Sequence, residues 1–208
     1  GMATLLRTAL QRLAGQNDQA AFELRQAMGG GKTHSMLALG YMAAHPAIAG
    51  EVDAKIVHGF SPTPAKLVIV SGRNIPHDIL LWGSIAKQLG KENEFSKFWI
   101  NGPRAPNEDD WRALIGDEPV LILLDELPPY LENAVTIPVG GGHLGDVTSA
   151  AISNLLSAAT KLPRLCIVMS TLVGQYKASG DLSKIISQIS NEARRQTKPI
   201  TPVELGSD

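Results

Sequence analysis

The sequence is poor in cysteine and has almost no net charge. Its single cysteine, Cys166, cannot form a disulfide within the chain, which excludes a disulfide-rich secreted scaffold and leads us to expect a cytoplasmic protein. There are 19 Lys and Arg residues and 20 Asp and Glu residues, a formal net charge of −1. This balance argues against a global electrostatic field that would attract nucleic acid or an anionic membrane. It does not exclude a local basic patch.

Long apolar runs are also missing. Residues 120–124 are apolar in succession, but such a run is far below the roughly 18 residues that a membrane-spanning helix needs. The first residues lack the pattern of a secretory signal peptide, and Gly1 before Met2 is interpreted as the scar of an expression tag. At 208 residues the chain is long enough to bury one domain core.

Three consecutive glycines stand out in the segment 22–35, which reads FELRQAMGGGKTHS. A short predicted strand, Ala21–Arg25, leads into these glycines, and a helical pattern follows from Lys32. Because glycine has no Cβ, such a backbone can wrap closely around a polyphosphate, and the N–H groups at the helix N-terminus can donate to an anion. The pattern predicts that Lys32 reaches the β- and γ-phosphates and that the Thr33 hydroxyl binds Mg²⁺.

One position departs from the usual G-x-x-x-x-G-K-[ST] pattern, because Gln26 stands where the first glycine is expected. The alternative is a glycine-rich turn that happens to precede Lys and Thr. We expect the cofactors ATP and Mg²⁺. The predicted nucleotide-binding residues are Gln26, Ala27, Met28, Gly29, Gly30, Gly31, Lys32, Thr33 and His34.

Two acids follow a second apolar run, in the segment 120–126 with the sequence VLILLDE. The run predicts a buried central strand that delivers Asp125 and Glu126 to the carboxyl edge of a sheet, where ligands bind in open α/β folds. Asp125 would hold Mg²⁺, and Glu126 would polarise the water that attacks the γ-phosphate. The alternative is a solvated strand end that carries two acids.

A third apolar run, residues 165–169, predicts another buried strand and ends in Ser170 and Thr171. We assign Thr171 a catalytic role, because a hydroxyl at the end of a neighbouring strand could reach the γ-phosphate or the attacking water. An ordinary strand terminus is the alternative.

The remaining periodicity predicts helices and two further strands. Helices are expected over residues 5–13, 32–45, 76–89, 107–115, 148–159 and 182–195, with Asn107 and Thr148 as N-terminal caps. Residues 66–70 predict a strand buried on both faces. Residues 200–203 predict an edge strand, because Pro199 precedes the segment and Pro202 lies within it. Trp82 is interpreted as a packing residue rather than a platform for a base.

Three segments are predicted to be irregular. Residues 46–65 are interpreted as a long surface connection, residues 127–130 as a turn, and residues 139–145 as a flexible loop with His143 exposed.

The order of these motifs resembles that of the AAA+ ATPases. The resemblance implies a three-layer αβα fold of the P-loop NTPase class, with a mostly parallel five-stranded sheet in the order 5-1-4-3-2. It also implies an ATPase that drives remodelling. The helical lid that AAA+ proteins place after the last strand is missing, so residues 2–205 are expected to form a single core domain of a longer protein, weakly active by itself.

A closer resemblance is to the family known as domain of unknown function 499. It rests on the segments 26–34 (QAMGGGKTH), 81–90 (LWGSIAKQLG) and 123–131 (LLDELPPYL). Glutamine at the first loop position is typical of that family. The resemblance implies a role in DNA-related defence or modification, with DNA or a DNA methyltransferase as candidate partners. The short apolar runs lead us to expect no membrane partner, and an oligomer of the full-length form stays open.

Other functions stay open. The domain could be a regulatory nucleotide switch with little turnover, or the core of a DNA translocase. A small-molecule kinase is disfavoured, because such kinases usually lack a dedicated water-activating acid like Glu126. Arg194 and Arg195, at the end of the last predicted helix, are either a source of transition-state charge for a neighbouring subunit or a solvated helix end.

Overall fold

A five-stranded parallel sheet forms the centre of the computed structural model, which describes residues 1–25, 31–170, 180–196 and 203–204. Its strands are β1 (Ala21–Arg25), β2 (Lys66–Ser71), β3 (Val120–Asp125), β6 (Leu165–Ser170) and β7 (Val203–Glu204), and a separate hairpin pairs β4 (Pro138–Val139) with β5 (Gly142–His143). The sheet order is β2-β3-β6-β1-β7, with every neighbouring pair parallel. Counted without the two hairpin strands, this order is 2-3-4-1-5, which is 5-1-4-3-2 read from the other edge.

Helices cover both faces of the sheet. They are α1 (Met2–Leu13), α2 (Lys32–Ala44), α3 (Pro46–Val52), α4 (Ala54–Val57), α5 (Leu80–Gln88), α6 (Glu92–Phe95), α7 (Glu108–Ile115), α8 (Leu127–Ala134), α9 (Leu144–Lys161) and α10 (Asp181–Gln196), with a 3₁₀ turn at Ser96–Phe98. The first four pack on one face and the other six on the opposite face, each group with its own apolar core. The predicted three-layer α/β class with a parallel sheet is therefore confirmed.

The position of each strand in the sheet determines how deeply it is buried. All residues of β3 and β6 are buried, as expected for central strands with helices on both faces. The prediction that residues 66–70 are buried on both faces is wrong, because β2 is an edge strand and Ile69 is 37% exposed. The Gln88 side chain closes part of this edge, since its amide accepts from Ile69 N–H and donates to Ile69 C=O, both at 2.8 Å.

Two segments predicted to be irregular are helical. Residues 46–65 contain α3, which begins at Pro46, and α4, whose first turn is capped by the Asp53 carboxylate. Residues 127–130 begin α8, with prolines in its first turn. Proline is compatible with both helix starts, because the N–H groups of the first turn of a helix have no intrahelical partner.

The segment 139–145 is also more ordered than predicted. His143 is the N-cap of α9, where its Nδ1 accepts from Asp146 N–H at 3.2 Å and Asp146 accepts from His143 N–H at 3.1 Å. The His143 side chain is 17% exposed, so it is not the exposed loop histidine that we expected. Consequently α9 begins at Leu144, and Thr148, the predicted cap, lies one turn inside the helix and donates to Leu144 C=O.

Other boundaries differ less. Helix α5 begins at Leu80 instead of residue 76. The Asn107 cap of α7 is confirmed, with a reciprocal hydrogen bond from Asp110. Of the predicted last strand, residues 200–202 lie outside the described residues, while Val203–Glu204 pairs with β1 at the sheet edge. Trp82 is fully buried and donates to Phe98 C=O at 3.1 Å, which confirms its packing role.

A buried arginine joins α1 to the amino edge of the sheet. Arg12 is 4% exposed and donates to Leu165 C=O at 2.8 Å and to Ala159 and Leu162 C=O at 2.7 Å. Burial lowers the pKa of this guanidinium. Among the described helices, none is long and apolar enough to cross a membrane.

Candidate active site

The carboxyl ends of the parallel strands bring together residues that are far apart in the chain. Strand β3 ends at Asp125, β6 ends at Ser170, and β2 ends at Ser71, all at one edge of the sheet. Helix α2 begins at this same edge, because it follows β1 in the chain. This edge is where open α/β sheets bind their ligands.

The N-terminus of α2 has the geometry expected of an anion site. Gly31, its N-cap, has φ 80° and ψ 22°, a left-handed conformation that glycine adopts without steric cost. No described side chain caps this helix. Its first-turn N–H groups therefore have no partner within the helix and are available to an anion at the positive end of the helix dipole.

The most informative contact joins Thr33 to Asp125. The Thr33 Oγ1 donates to the Asp125 Oδ2 at 3.0 Å, although 92 positions separate the two residues. Thr33 is exposed, whereas Asp125 is 9% exposed. A hydroxyl and a carboxylate at the beginning of the helix supply oxygen ligands of the kind that Mg²⁺ prefers.

A site with few protein ligands is compatible with Mg²⁺. No group of three or more His, Cys, Asp or Glu side chains suited to a metal occurs among the described residues. Mg²⁺ commonly uses one or two carboxylates and completes its shell with water and substrate phosphates, so the pair Thr33 and Asp125 is sufficient on the protein side.

Glu126 has an unusual backbone and an exposed carboxylate. Its φ of 50° and ψ of 41° are left-handed, and its N–H donates to Asp125 Oδ1 at 2.9 Å and to Ser170 Oγ at 3.3 Å. The Glu126 side chain is 40% exposed, with Oε2 at 3.0 Å from Arg73 Nε. The carboxylate is thus accessible and held by a counter-ion from the loop after β2.

Two of these partners were not assigned by the sequence analysis. Arg73 follows the end of β2 by two residues, and the signal that could have found it is a basic residue just beyond a predicted strand. Ser170 was noted as a strand-terminal hydroxyl, but the catalytic assignment went to Thr171, which lies outside the described residues.

Several predicted site residues lie outside the part of the chain that the structure describes. They are Gln26, Ala27, Met28, Gly29 and Gly30, together with the side chain of Lys32. His34 lies in the first turn of α2 and is exposed.

Other features of the described residues are less suited to catalysis or metal binding. Two surface clefts, of about 290 and 570 Å³, are lined by residues near Lys91 and near Pro46, and neither includes Thr33, Asp125 or Glu126. Cys166 is fully buried, and burial raises its pKa to about 12, so the thiol is neither a nucleophile nor an accessible metal ligand at neutral pH. Arg194 and Arg195 are exposed in the last turn of α10.

Comparison with known proteins gives a likeness in fold and none at the level of a sequence family. No family model and no curated protein matches the chain, so the resemblance to domain of unknown function 499 gains no support. The chain is similar to the solved structure of the Aeropyrum pernix ORC2 protein in ADPNP–ADP complexes, at 19% identity and a TM-score of 0.51. The chain therefore shares the fold of that structure, with a parallel sheet covered by helices on both faces. The match covers 90% of this chain, which spans 44% of the ORC2 chain, and at this identity the likeness shows the fold alone.

Proposed function

We propose that this domain binds ATP together with Mg²⁺ and hydrolyses it. The contact between Thr33 and Asp125 at the N-terminus of α2 carries the proposal, because it places a hydroxyl and a nearly buried carboxylate next to a helix end suited to phosphates. The Aeropyrum pernix ORC2 structure contains ADPNP and ADP complexes, which supports the proposal of nucleotide binding at a similar fold.

In this proposal each group has a distinct task. The N–H groups of the first turn of α2 and the Lys32 side chain bind the phosphates, while Thr33 and Asp125 hold the metal ion. The metal ion neutralises charge on the β- and γ-phosphates. Glu126 accepts a hydrogen bond from water and takes up its proton as that water bonds to the γ-phosphorus and the bond to the β–γ bridging oxygen breaks.

A regulatory switch with little turnover is the second candidate, and the pair between Arg73 and Glu126 favours it. The Arg73 guanidinium, with its Nε at 3.0 Å from Glu126 Oε2, competes with water for that carboxylate oxygen. A domain with this pair intact would bind ATP and hydrolyse it slowly until the pair is broken.

The wider role is a further part of the proposal. We infer that hydrolysis drives remodelling in a DNA-related defence or modification system, with DNA or a DNA methyltransferase as partner, or that the domain is the core of a DNA translocase. In an oligomer, Arg194 or Arg195 would complete a neighbouring site; in that case replacing either by Ala lowers turnover without lowering ATP affinity. Unchanged turnover in both variants would favour the alternative, in which the two arginines form a solvated helix end.

Calorimetric titration with ATP, with and without Mg²⁺, tests the site directly. We expect binding by the parent that weakens without Mg²⁺, and Asp125→Asn should remove most of this metal dependence. Asp117→Asn is the matched control, because Asp117 is exposed just before β3, at the opposite edge of the sheet. A parent that does not bind ATP, or an Asp125→Asn variant that behaves like the control, would contradict the proposal.

A further inference from the structure

Gly72 lies against the backbone of Glu126 more closely than any other residue type could. It is buried immediately after β2, and its N–H donates to Asp125 C=O at 2.8 Å. A Cβ placed on Gly72 would lie 1.8 Å from the Glu126 carbonyl oxygen and 2.7 Å from the carbonyl carbon. Both obstructing atoms belong to the backbone, so a rotamer change cannot relieve the overlap.

The Glu126 backbone is held on its other side as well. Its left-handed conformation is shared, among described non-glycine residues, with Leu80 only. Hydrogen bonds from Glu126 N–H to Asp125 Oδ1 and to Ser170 Oγ hold its amide, while Gly72 lies against its carbonyl. Left-handed geometry is unfavourable for a residue with a Cβ and persists only where its surroundings enforce it.

We infer that Gly72 is a positioning residue for Glu126. By admitting the Glu126 carbonyl, Gly72 lets residue 126 remain left-handed, and this conformation sets the direction in which the carboxylate leaves the backbone. The next residue, Arg73, then contacts that carboxylate, so two successive residues of one loop determine the backbone and the side-chain position of Glu126. The inference rests on the proposed function and identifies a residue on which water activation depends.

Replacing Gly72 with Ala tests the inference through the separation of turnover from binding. We expect Gly72→Ala to lower kcat on the order of 100-fold, because a displacement of about 1 Å at a reacting group costs about that much. ATP affinity measured by calorimetry should stay within about threefold, because the atoms that the new Cβ would obstruct belong to Glu126, whereas the proposed phosphate and metal contacts are made by α2, Thr33 and Asp125. Turnover equal to that of the parent, or an equal loss of affinity and turnover, would overturn the inference.

The matched control is Gly83→Ala. A Cβ on Gly83 would lie 2.7 Å from the Ile79 Cβ, so this variant introduces crowding at the start of α5, milder than that at Gly72 and away from the Glu126 backbone. It should lower the midpoint of thermal unfolding yet leave kcat within about threefold of the parent. An equal loss of kcat in both variants would indicate general destabilisation and overturn the inference.

A spectroscopic measurement separates this inference from the proposed function. In the parent, the backbone ¹³C shifts of Glu126 should indicate a left-handed conformation, and the Gly72 amide should exchange slowly with solvent. Gly72→Ala should move the Glu126 shifts out of that region. Right-handed or extended shifts in the parent would overturn the inference even if the variant does not fold. A parent that shows no ATP binding would instead overturn the proposed function, and the spectroscopic result for Glu126 would be unaffected.

Discussion

Two arginines, one at the amino ends of the strands and one at their carboxyl ends, show how differently these two edges of the sheet are built. At the amino edge, Arg12 is buried and donates to backbone carbonyls from α9 and β6. At the carboxyl edge, Arg73 has a side chain that is 60% exposed and pairs with the carboxylate of Glu126. The first arginine fixes the packing of secondary structure, whereas the second contacts a group that can take part in a reaction.

The energetic consequences differ accordingly. Removing Arg12 would take several charge-assisted hydrogen bonds from buried carbonyl groups, which is costly, whereas an exposed ion pair contributes at most about 1 kcal/mol. We therefore expect changes at the amino edge to affect stability and changes at the carboxyl edge to affect nucleotide chemistry. Four predictions test this division.

The largest effect is expected for Lys32→Ala, which should remove ATP binding that calorimetry can measure. In the proposed site Lys32 is the one basic side chain of the glycine-rich loop, and no neighbouring loop residue could replace its charge. The midpoint of thermal unfolding should stay close to that of the parent. Lys184→Ala, which removes an exposed lysine of α10, is the control and should bind normally. Near-normal affinity in Lys32→Ala would rule out the phosphate-loop assignment.

Glu126→Gln should abolish phosphate release while ATP affinity stays within about twofold. Glutamine keeps the shape of the side chain but cannot accept a proton from water. The parent itself should turn over far below about 10 per second, the median for enzymes, because a charge supplied by a neighbouring subunit is worth about a thousandfold or more. A variant as fast as the parent would remove Glu126 from the mechanism, and a fast parent would show that the site needs no neighbour.

Arg12→Ala should lower the free energy of unfolding by about 3 kcal/mol, since several buried carbonyl groups lose a hydrogen bond from a charged donor. For a domain of this size the midpoint of thermal unfolding should fall by about 6–12 °C. Below that midpoint, ATP affinity should be unchanged. Arg112→Ala breaks an exposed pair with Asp109 and should cost less than about 1 kcal/mol. Equal losses in the two variants would contradict the contrast between the edges.

Arg73→Ala should have the smallest effect, a rise in turnover of up to about fivefold at low ionic strength. The exposed ion pair is worth at most about 1 kcal/mol, and its loss frees the Glu126 carboxylate for water. Arg73→Lys keeps the charge and should remain closer to the parent. Added salt should reduce the difference between parent and Arg73→Ala, because salt screens the pair. A fall in turnover in Arg73→Ala would show that Arg73 assists hydrolysis, and the switch would lose its support.

Most of the fold could be predicted from the sequence, because β2, β3 and β6 contain continuous apolar runs and the longer helices have clear periodicity. Strand β3, for instance, is apolar from Val120 to Leu124 and is central in the sheet. The errors lie where one residue type serves two structures. Prolines at 46, 128 and 129 begin helices although they can also end them, and His143 caps a helix although histidine is an uncommon cap.

The candidate site was predictable in part. The acids at 125 and 126 and the hydroxyl of Thr33 were identified because their types and spacing follow from Mg²⁺ and phosphate chemistry, and the structure brings Thr33 and Asp125 together. Gly72, Arg73 and Ser170 were not assigned roles. Their contacts with Glu126 depend on which strands are neighbours and on a left-handed backbone, and neither property leaves a local pattern in the sequence.

The separation between Thr33 and Asp125 in the chain also has a kinetic consequence. These residues are 92 positions apart, and Ser170 and Glu126 are 44 apart, so their contacts can form only after long stretches of chain have been ordered. Such non-local contacts slow folding, because loop-closure entropy is lost before the contacts form. If ATP binds only the completed edge, it stabilises the folded state by RT ln(1 + [ATP]/Kd), about 2.7 kcal/mol at a hundred times Kd. The recovery of nucleotide binding, monitored by the fluorescence of a labelled nucleotide, should then lag behind the recovery of helix content. The length of this lag would report when the sheet acquires its final strand order.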